Sequence, residues 1–242
     1  AEGLFGLASS LRQQNARMTA LVIGRLALHI KPDFPIMQTL LAEIFESQNR
    51  LQSTNAIYAS INGNSPYSWP TRLRLATNLD RMERTDDAIK QLHAMAADTD
   101  RAEPLITLGD VLRRHERFKE AISAYDQAFK RIEKLERQHW SLLYARGIAL
   151  EQSKMWARAE AGLLKALEFE PEQPYVLNYL GYSWVDQGVN LDRALKMIKK
   201  AVALRPSDGY IIDSMGWVLY RLGKYENSVR ELERAVELRP ED

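Results

Sequence analysis

The chain has 242 residues, 45% of them apolar and 27% charged, which is the composition of an ordinary folded protein and excludes a disordered or collagen-like one. With 33 Lys and Arg against 32 Asp and Glu, and balanced in each half, it carries no basic footprint for nucleic acid. Zero cysteine excludes disulfides, thiol catalysis and cysteine-ligated metal sites.

The start, Ala1-Glu2-Gly3-Leu4, lacks the basic-then-apolar layout of a signal peptide. The first unit reads from residue 1 to 34. It has a small residue, Ala8, in a first apolar-periodic stretch, then Ala20 and Ala27 in a second, and Pro32 at its close. The same order returns in residues 35–68 with Ala42, Thr54, Ile61 and Pro66. It returns again in 69–101 with Ala76, Ala88, Met95 and, in the proline slot, Asp100. Unit 102–139 has Gly109, Ala121, Ala128 and Glu133; unit 140–173 has Gly147, Ala159, Ala166 and Pro171. Units 174–208 and 209–242 close the series with Gly181, Ala194, Ala201 and Pro206, then Gly216, Ser228, Ala235 and Pro240. The spacings between successive first markers are 34, 33, 38, 34, 35 and 35 residues. The longest uncharged stretch, Leu51 to Thr71, carries Asn62, Gly63, Asn64, Pro66 and Pro70, so it is no membrane-spanning helix.

A period of this length with apolar residues at helical spacing predicts one helix–turn–helix per unit. Small residues fall where the two helices cross. Asn15, Asn49, Gly188 and Gly223 stand between them as types that tolerate a left-handed turn, and proline forbids the second helix from continuing. Seven such pairs are expected to give fourteen helices of about 12–16 residues and no strand. The 38-residue spacing predicts a longer helix or loop around Ile132–His139.

These markers resemble the tetratricopeptide repeat signature, most clearly in Gly147…Ala159…Leu163…Ala166…Pro171 and Gly216…Tyr225…Leu232…Ala235…Pro240. The resemblance spans the whole chain and implies an all-α, right-handed α-solenoid of about seven repeats. Leu177-Asn178-Tyr179-Leu180-Gly181-Tyr182 and Ile212-Asp213-Ser214-Met215-Gly216-Trp217 are similar to a narrower group of bacterial envelope repeat proteins. That group includes lipoprotein adaptors of a periplasmic carboxy-terminal processing protease. It implies a periplasmic or outer-membrane-associated place, with the cytoplasm as the alternative.

No catalytic motif emerges. His29, His93, His115 and His139 form no close pair and read as rim residues; Gly181-Tyr182-Ser183 is followed by Val185 where a nucleophile elbow needs glycine. Asp86-Asp87 suit a helix start, and Arg113, Arg114 and Arg117 are interleaved with Asp110, Glu116 and Glu120 as a solvated face. No metal, cofactor or enzyme activity is expected.

In stacked pairs the first helices line the concave face. Counting from the small markers, units two to four offer Thr39, Glu43, Glu46, Thr77, Asp80, Arg81, Asp110, Arg113 and Arg114, polar and mixed in sign. Units five to seven offer Tyr144, Ile148, Asn178, Tyr182, Asp213, Trp217 and Tyr220. Those aromatics read either as core packing or as a peptide groove in which Asn178 and Asp213 bond an extended backbone. The clamp by which some relatives hold chaperone tails wants Lys and Asn flanking a marker, and no pair here, Asn178/Tyr182 and Asp213/Trp217 included, supplies them.

The expected function is a non-catalytic scaffold or adaptor for proteins or peptides, with a periplasmic protease among the candidate partners. A regulatory or substrate-selecting module of a larger enzyme is the alternative. The chain is expected to be a piece of a longer one, with an open last pair (Val218, Val229, Leu232, Val236) through which it self-associates. Gly147→Leu and Ala166→Leu are expected to destabilise it, and His115→Ala to matter little.

Overall fold

The computed structural model describes residues 1–239, and among them there are fourteen α-helices and no β-strand. They are α1 (Glu2–Gln13), α2 (Arg17–Ile30), α3 (Pro35–Ser47), α4 (Leu51–Ser60), α5 (Ser68–Arg81), α6 (Thr85–Ala97) and α7 (Glu103–Arg114). Then follow α8 (Phe118–Lys130), α9 (Trp140–Gln152), α10 (Trp156–Phe169), α11 (Pro174–Asp186), α12 (Leu191–Leu204), α13 (Gly209–Arg221) and α14 (Tyr225–Leu238). Pro240 lies outside the described residues.

Every odd-numbered helix passes to the next through the same turn. The second residue past the helix is left-handed: Asn15, Asn49, Glu83, Glu116, Lys154, Gly188 and Gly223 all have φ between 57° and 72°. The next N–H bonds back to the carbonyl five residues earlier, Ala16 to Leu11, Arg50 to Phe45, Met155 to Leu150 and Lys224 to Leu219 among them, at 2.8–2.9 Å. This 6→1 bond closes the helix and satisfies a carbonyl that would otherwise be orphaned. Sequence reading found the Asn and Gly positions and missed Glu83, Glu116 and Lys154. There the backbone bond imposes the turn on residues with no preference for it.

One expectation about lengths needs correction, and the other, a longer loop around Ile132–His139, is met. Helices run from 10 to 14 residues, so α4, with 10, is shorter than anticipated. Ile61 is already extended, and the Asn62 side chain accepts the Asn64 N–H at 3.0 Å, which opens a turn before Pro66. The long spacing before Gly147 appears as an irregular segment followed by a 3₁₀ turn, Arg137–His139. His139 Nδ1 accepts the Glu136 N–H at 2.9 Å, and Arg137 grips Glu170 with two bonds of 2.8 and 3.0 Å.

The chain forms two compact units: Ala1–Arg117 with Asp126–Arg131, and Phe118–Tyr125 with the residues from Ile132 onward. In the first, α1 packs on α2, α3 on α4 and α5 on α6. Ala8, Ala20 and Ala27 are fully buried against Met37, Leu41 and Ile44 of α3. In the second, α9 packs on α10, α11 on α12 and α13 on α14. Its core centres on Leu180, Trp184 and Ile198, and the Trp184 Nε1 donates to Glu160 at 2.6 Å. A Cβ added to Gly147 would lie 2.9 Å from Leu163 Cδ2, and one added to Gly181 would lie 3.2 Å from the Ala194 carbonyl oxygen. Helix backbones therefore do cross closely at the small markers. Where the second marker is Thr54 or Ser228, its hydroxyl bonds across the crossing to the carbonyl of Ala42 (3.4 Å) or Gly216 (2.8 Å), so the polar departures are satisfied.

The last pair is less open than anticipated. Val218 is fully buried, and Leu232 covers Gly216, where an added Cβ would meet its Cδ2 at 2.5 Å. Val229 and Val236 remain exposed, as do Met18, Val22, Leu26 and Ile30, which fall one per turn along α2.

Candidate functional site

In the first unit the first-helix face is an ion-paired surface. Arg12 reaches Glu43, Arg74 donates to the other Glu43 oxygen at 2.9 Å and to the Tyr58 phenol at 3.0 Å, and that phenol donates to Glu46 at 3.0 Å. Burial pushes the Tyr58 phenol up to about 12, the nearby Arg74 cation opposes that, and the Glu46 carboxylate adds to it. Arg81 lies 3.7 Å from Glu46. Asp80 is only 8% exposed and takes bonds from Arg114 (2.7 Å), His115 (2.7 Å) and Thr85 (2.9 Å). Burial works against its charge, but those three donors overcome it and hold the carboxyl below its ordinary range. His115 is therefore more than the idle rim residue expected from sequence: it is one of the partners of a buried carboxylate.

The second unit presents a different face, and it gathers most of the anticipated residues. Tyr144 and Ile148 sit half-buried on α9; Asn178 and Tyr182 lie on α11; Asp213, Trp217 and Tyr220 lie on α13. The aromatic rings form two groups. Tyr144 stands between Trp140 (6.5 Å between centroids) and Tyr179 (5.9 Å, edge to face), whereas Tyr220 stacks on Trp217 and touches Tyr225, each at 5.6 Å. Tyr182 is 40% exposed and Tyr220 51%, while Leu180, Trp184, Met215 and Leu219 on the same helices are buried. Tyr182 and Tyr220 are thus surface residues, not core.

Two polar atoms in this strip are closed off from solvent and have no partner: Asn178 Oδ1, an acceptor, and Trp217 Nε1, a donor. Each such atom costs about 1–3 kcal/mol in a buried position, and unpaired groups of this kind deserve an explanation. In the same unit, between residues of α9, α11 and the turn into α10, a cavity of about 370 Å³ is lined by Glu151, Lys154, Trp156, Tyr179, Tyr182 and Asp186, among others; Asn178 and Trp217 do not line it. The Tyr179 phenol donates to Glu151 at 2.9 Å; burial and that carboxylate push it upward. The Tyr182 phenol is raised by burial and by Asp186, Asp213 and Glu151.

Sequence reading missed Glu151, Tyr179 and Asp186. Glu151 and Asp186 lie four and five residues past Gly147 and Gly181, so the counting rule that found Tyr182 reaches them. Tyr179, two before the marker, joins because its ring on α11 meets Tyr144 on α9, the first helix of the preceding repeat. Among the described residues no group of three His, Asp or Glu could hold a metal ion, and no helix is long and apolar enough to cross a membrane.

Paired helices joined by one recurring turn, crossing at small residues of fixed register, match the tetratricopeptide repeat family over residues 36–241. The chain belongs to that family. The TPR repeat-containing protein PA4667 of Pseudomonas aeruginosa is 30% identical over 174 residues, covering 71% of this chain and 29% of that protein. This chain thus spans 29% of the length of that TPR relative. The crystal structure of a tetratricopeptide repeat protein from Parabacteroides merdae has a TM-score of 0.72 at 15% identity, over 98% of this chain and 93% of the other. Cut9–Hcn1, from an APC/C hetero-tetramer, has a TM-score of 0.67 at 15% identity, covering 89% and 42%. YrrB, a TPR protein with an unusual peptide-binding site, has a TM-score of 0.50 at 17% identity, covering 90% and 93%. These likenesses show the fold, a TPR-type α-solenoid. In general terms such a fold is a scaffold for protein interaction.

Proposed function

We propose that this TPR chain is a non-catalytic adaptor that holds partner proteins or peptides on the α9, α11 and α13 face, in the envelope of a bacterium. The observation that carries the reading is the exposed aromatic strip with its two unpartnered polar atoms, Asn178 Oδ1 and Trp217 Nε1. An extended peptide has one donor and one acceptor per residue, which is what those two atoms lack. YrrB, alike in fold, shows that such a solenoid can carry a peptide site. The envelope location, and a periplasmic protease among the partners, rest on the likeness of the last two units to envelope adaptors.

The test is retention of partners from a bacterial periplasmic extract on immobilised parent and on a Tyr182→Ala, Trp217→Ala double variant. Loss of the retained proteins with unchanged helicity is the expected result. Equal retention by both proteins would remove this face from the function, and retention only from a cytosolic extract would remove the envelope.

The exposed Val229 and Val236 of α14, with Val236 63% exposed, support self-association as a second property. Light scattering should report a dimer that Val236→Asp converts to monomer. A monomeric parent would dispose of it.

A further inference from the structure

Two carboxylates, Glu151 and Asp186, line one cavity with the Tyr182 ring on the second unit's face, and Asp213 stands on the next first helix, α13. Tyr182 lies within electrostatic reach of Asp186 on its own helix, Asp213 on α13 and Glu151 on α9. Among the described residues none of the three forms an ion pair. Glu151 accepts from the Tyr179 phenol and the Gln152 amide, both at 2.9 Å, and Asp186 offers Arg221 only its backbone carbonyl, at 3.2 Å. The nearby cations are Lys154, on the cavity wall, and Arg221, 5.8 Å from the Trp217 ring centroid. Among the described residues neither pairs with a carboxylate.

The first unit treats its carboxylates differently. Glu43 is taken by Arg12 and Arg74, Glu46 by Arg74 and Arg81, and Asp80 by Arg114 and His115. In the second unit Glu170, Glu168, Glu172 and Glu231 are likewise paired, but Asp186 and Asp213 keep their capacity for a cation, beside the exposed Tyr182 and Tyr220 rings.

Building on the groove reading, we propose that the occupant is an extended peptide bearing a lysine or arginine, whose cation sits against Tyr182 between Asp186, Asp213 and Glu151. The peptide backbone donates to Asn178 Oδ1 and accepts from Trp217 Nε1 once the indole turns outward. A cation gains from three unneutralised charges and from the face of the ring. An acidic segment meets like charge instead, and a neutral one leaves the carboxylates without a counter-charge.

The experiment selects a displayed library of random decapeptides on the 242-residue chain and on an Asp186→Asn, Asp213→Asn variant. The parent should enrich Lys- or Arg-bearing sequences several-fold over the library frequency, with affinity that falls as salt is raised. The variant should lose that enrichment while keeping the parent's circular dichroism. If the double variant melts early, Asp213→Asn alone gives the same reading, since Asp213 is exposed. Peptides enriched without basic residues, yet lost on Tyr182→Ala, would overturn the cation while leaving the groove. No enrichment, or enrichment indifferent to Tyr182→Ala, would overturn both.

Discussion

The two units of this molecule are built by one rule and diverge on one surface. Both cross helix pairs at small residues and close first helices with the same left-handed turn. On the first-helix face, however, the N-terminal unit joins Arg12, Glu43, Tyr58 and Arg74 into one bonded network and surrounds Asp80 with three donors. Among the described residues the C-terminal unit leaves Asp186 and Asp213 without ion pairs; unpartnered buried polar atoms occur in both units, but Asn178 Oδ1 and Trp217 Nε1 are the ones that lie in the strip with the exposed Tyr182 and Tyr220 rings. A face whose carboxylates are already paired has little charge left for a ligand. A face with unsatisfied groups gives up some stability and keeps its capacity to bind.

The crossings differ as well. All three markers of the second unit are glycine, Gly147, Gly181 and Gly216, whereas the first has alanine at Ala8, Ala42 and Ala76 and glycine at Gly109. The largest expected effect is accordingly Gly181→Leu. A Cβ there already lies 2.9 Å from Ile198 Cγ1 and 3.2 Å from a backbone oxygen, so the pair must separate. We expect a loss of about 3 kcal/mol by denaturant titration. An unchanged midpoint would mean that the crossing lies elsewhere.

Next comes Asp80→Asn, which leaves Arg114 and His115 short of their acceptor; a loss of about 2 kcal/mol is expected. This change also tests the pH dependence. Asp80 in the fold titrates below its ordinary value of 3.8, so its charge contributes stability that is complete above that value. That contribution disappears as pH falls through the folded pKa. On acidification below about pH 4 the parent should lose stability more steeply than Asp80→Asn, and parallel curves would show that Asp80 is not the responsible group.

His115→Ala removes one of the Asp80 donors and is expected to cost about 1 kcal/mol. That reverses the neutrality anticipated from sequence, and a melting curve identical to the parent's would restore it. Glu116→Gly should gain roughly 0.5 kcal/mol, because glutamate there is held left-handed at φ 58°. Smallest of all, Asp213→Asn in the second unit should alter stability by less than about 0.5 kcal/mol. The contrast with Asp80→Asn is the sharpest form of the comparison: equal costs at both positions would erase the distinction between a structural face and a binding face.

Much of the N-terminal network lay one repeat apart in the chain. Arg12 and Glu43 are 31 residues apart, Glu43 and Arg74 again 31, and Asp80 and Arg114 34. Pairing opposite charges one period apart would have flagged these contacts in advance. It would not have revealed that Tyr58, from a second helix, completes them, or that His115 shares Asp80. These depend on side-chain reach across helices, which a linear pattern does not encode.

From its sequence alone this protein is a series of helix pairs with small residues at the crossings and an aromatic strip late in the chain. Period and burial are local constraints repeated seven times, and each repetition reinforces the same reading. Only the tertiary structure decided which carboxylates are neutralised and which polar atoms are left unpaired. The same residue types, Asp and Glu at matching steps from a small marker, take opposite roles in the two units. On these faces the pairs form where a neighbouring helix brings a cation close, as Arg74 to Glu43 at 2.9 Å and Arg114 to Asp80 at 2.7 Å, since Coulomb attraction falls with distance.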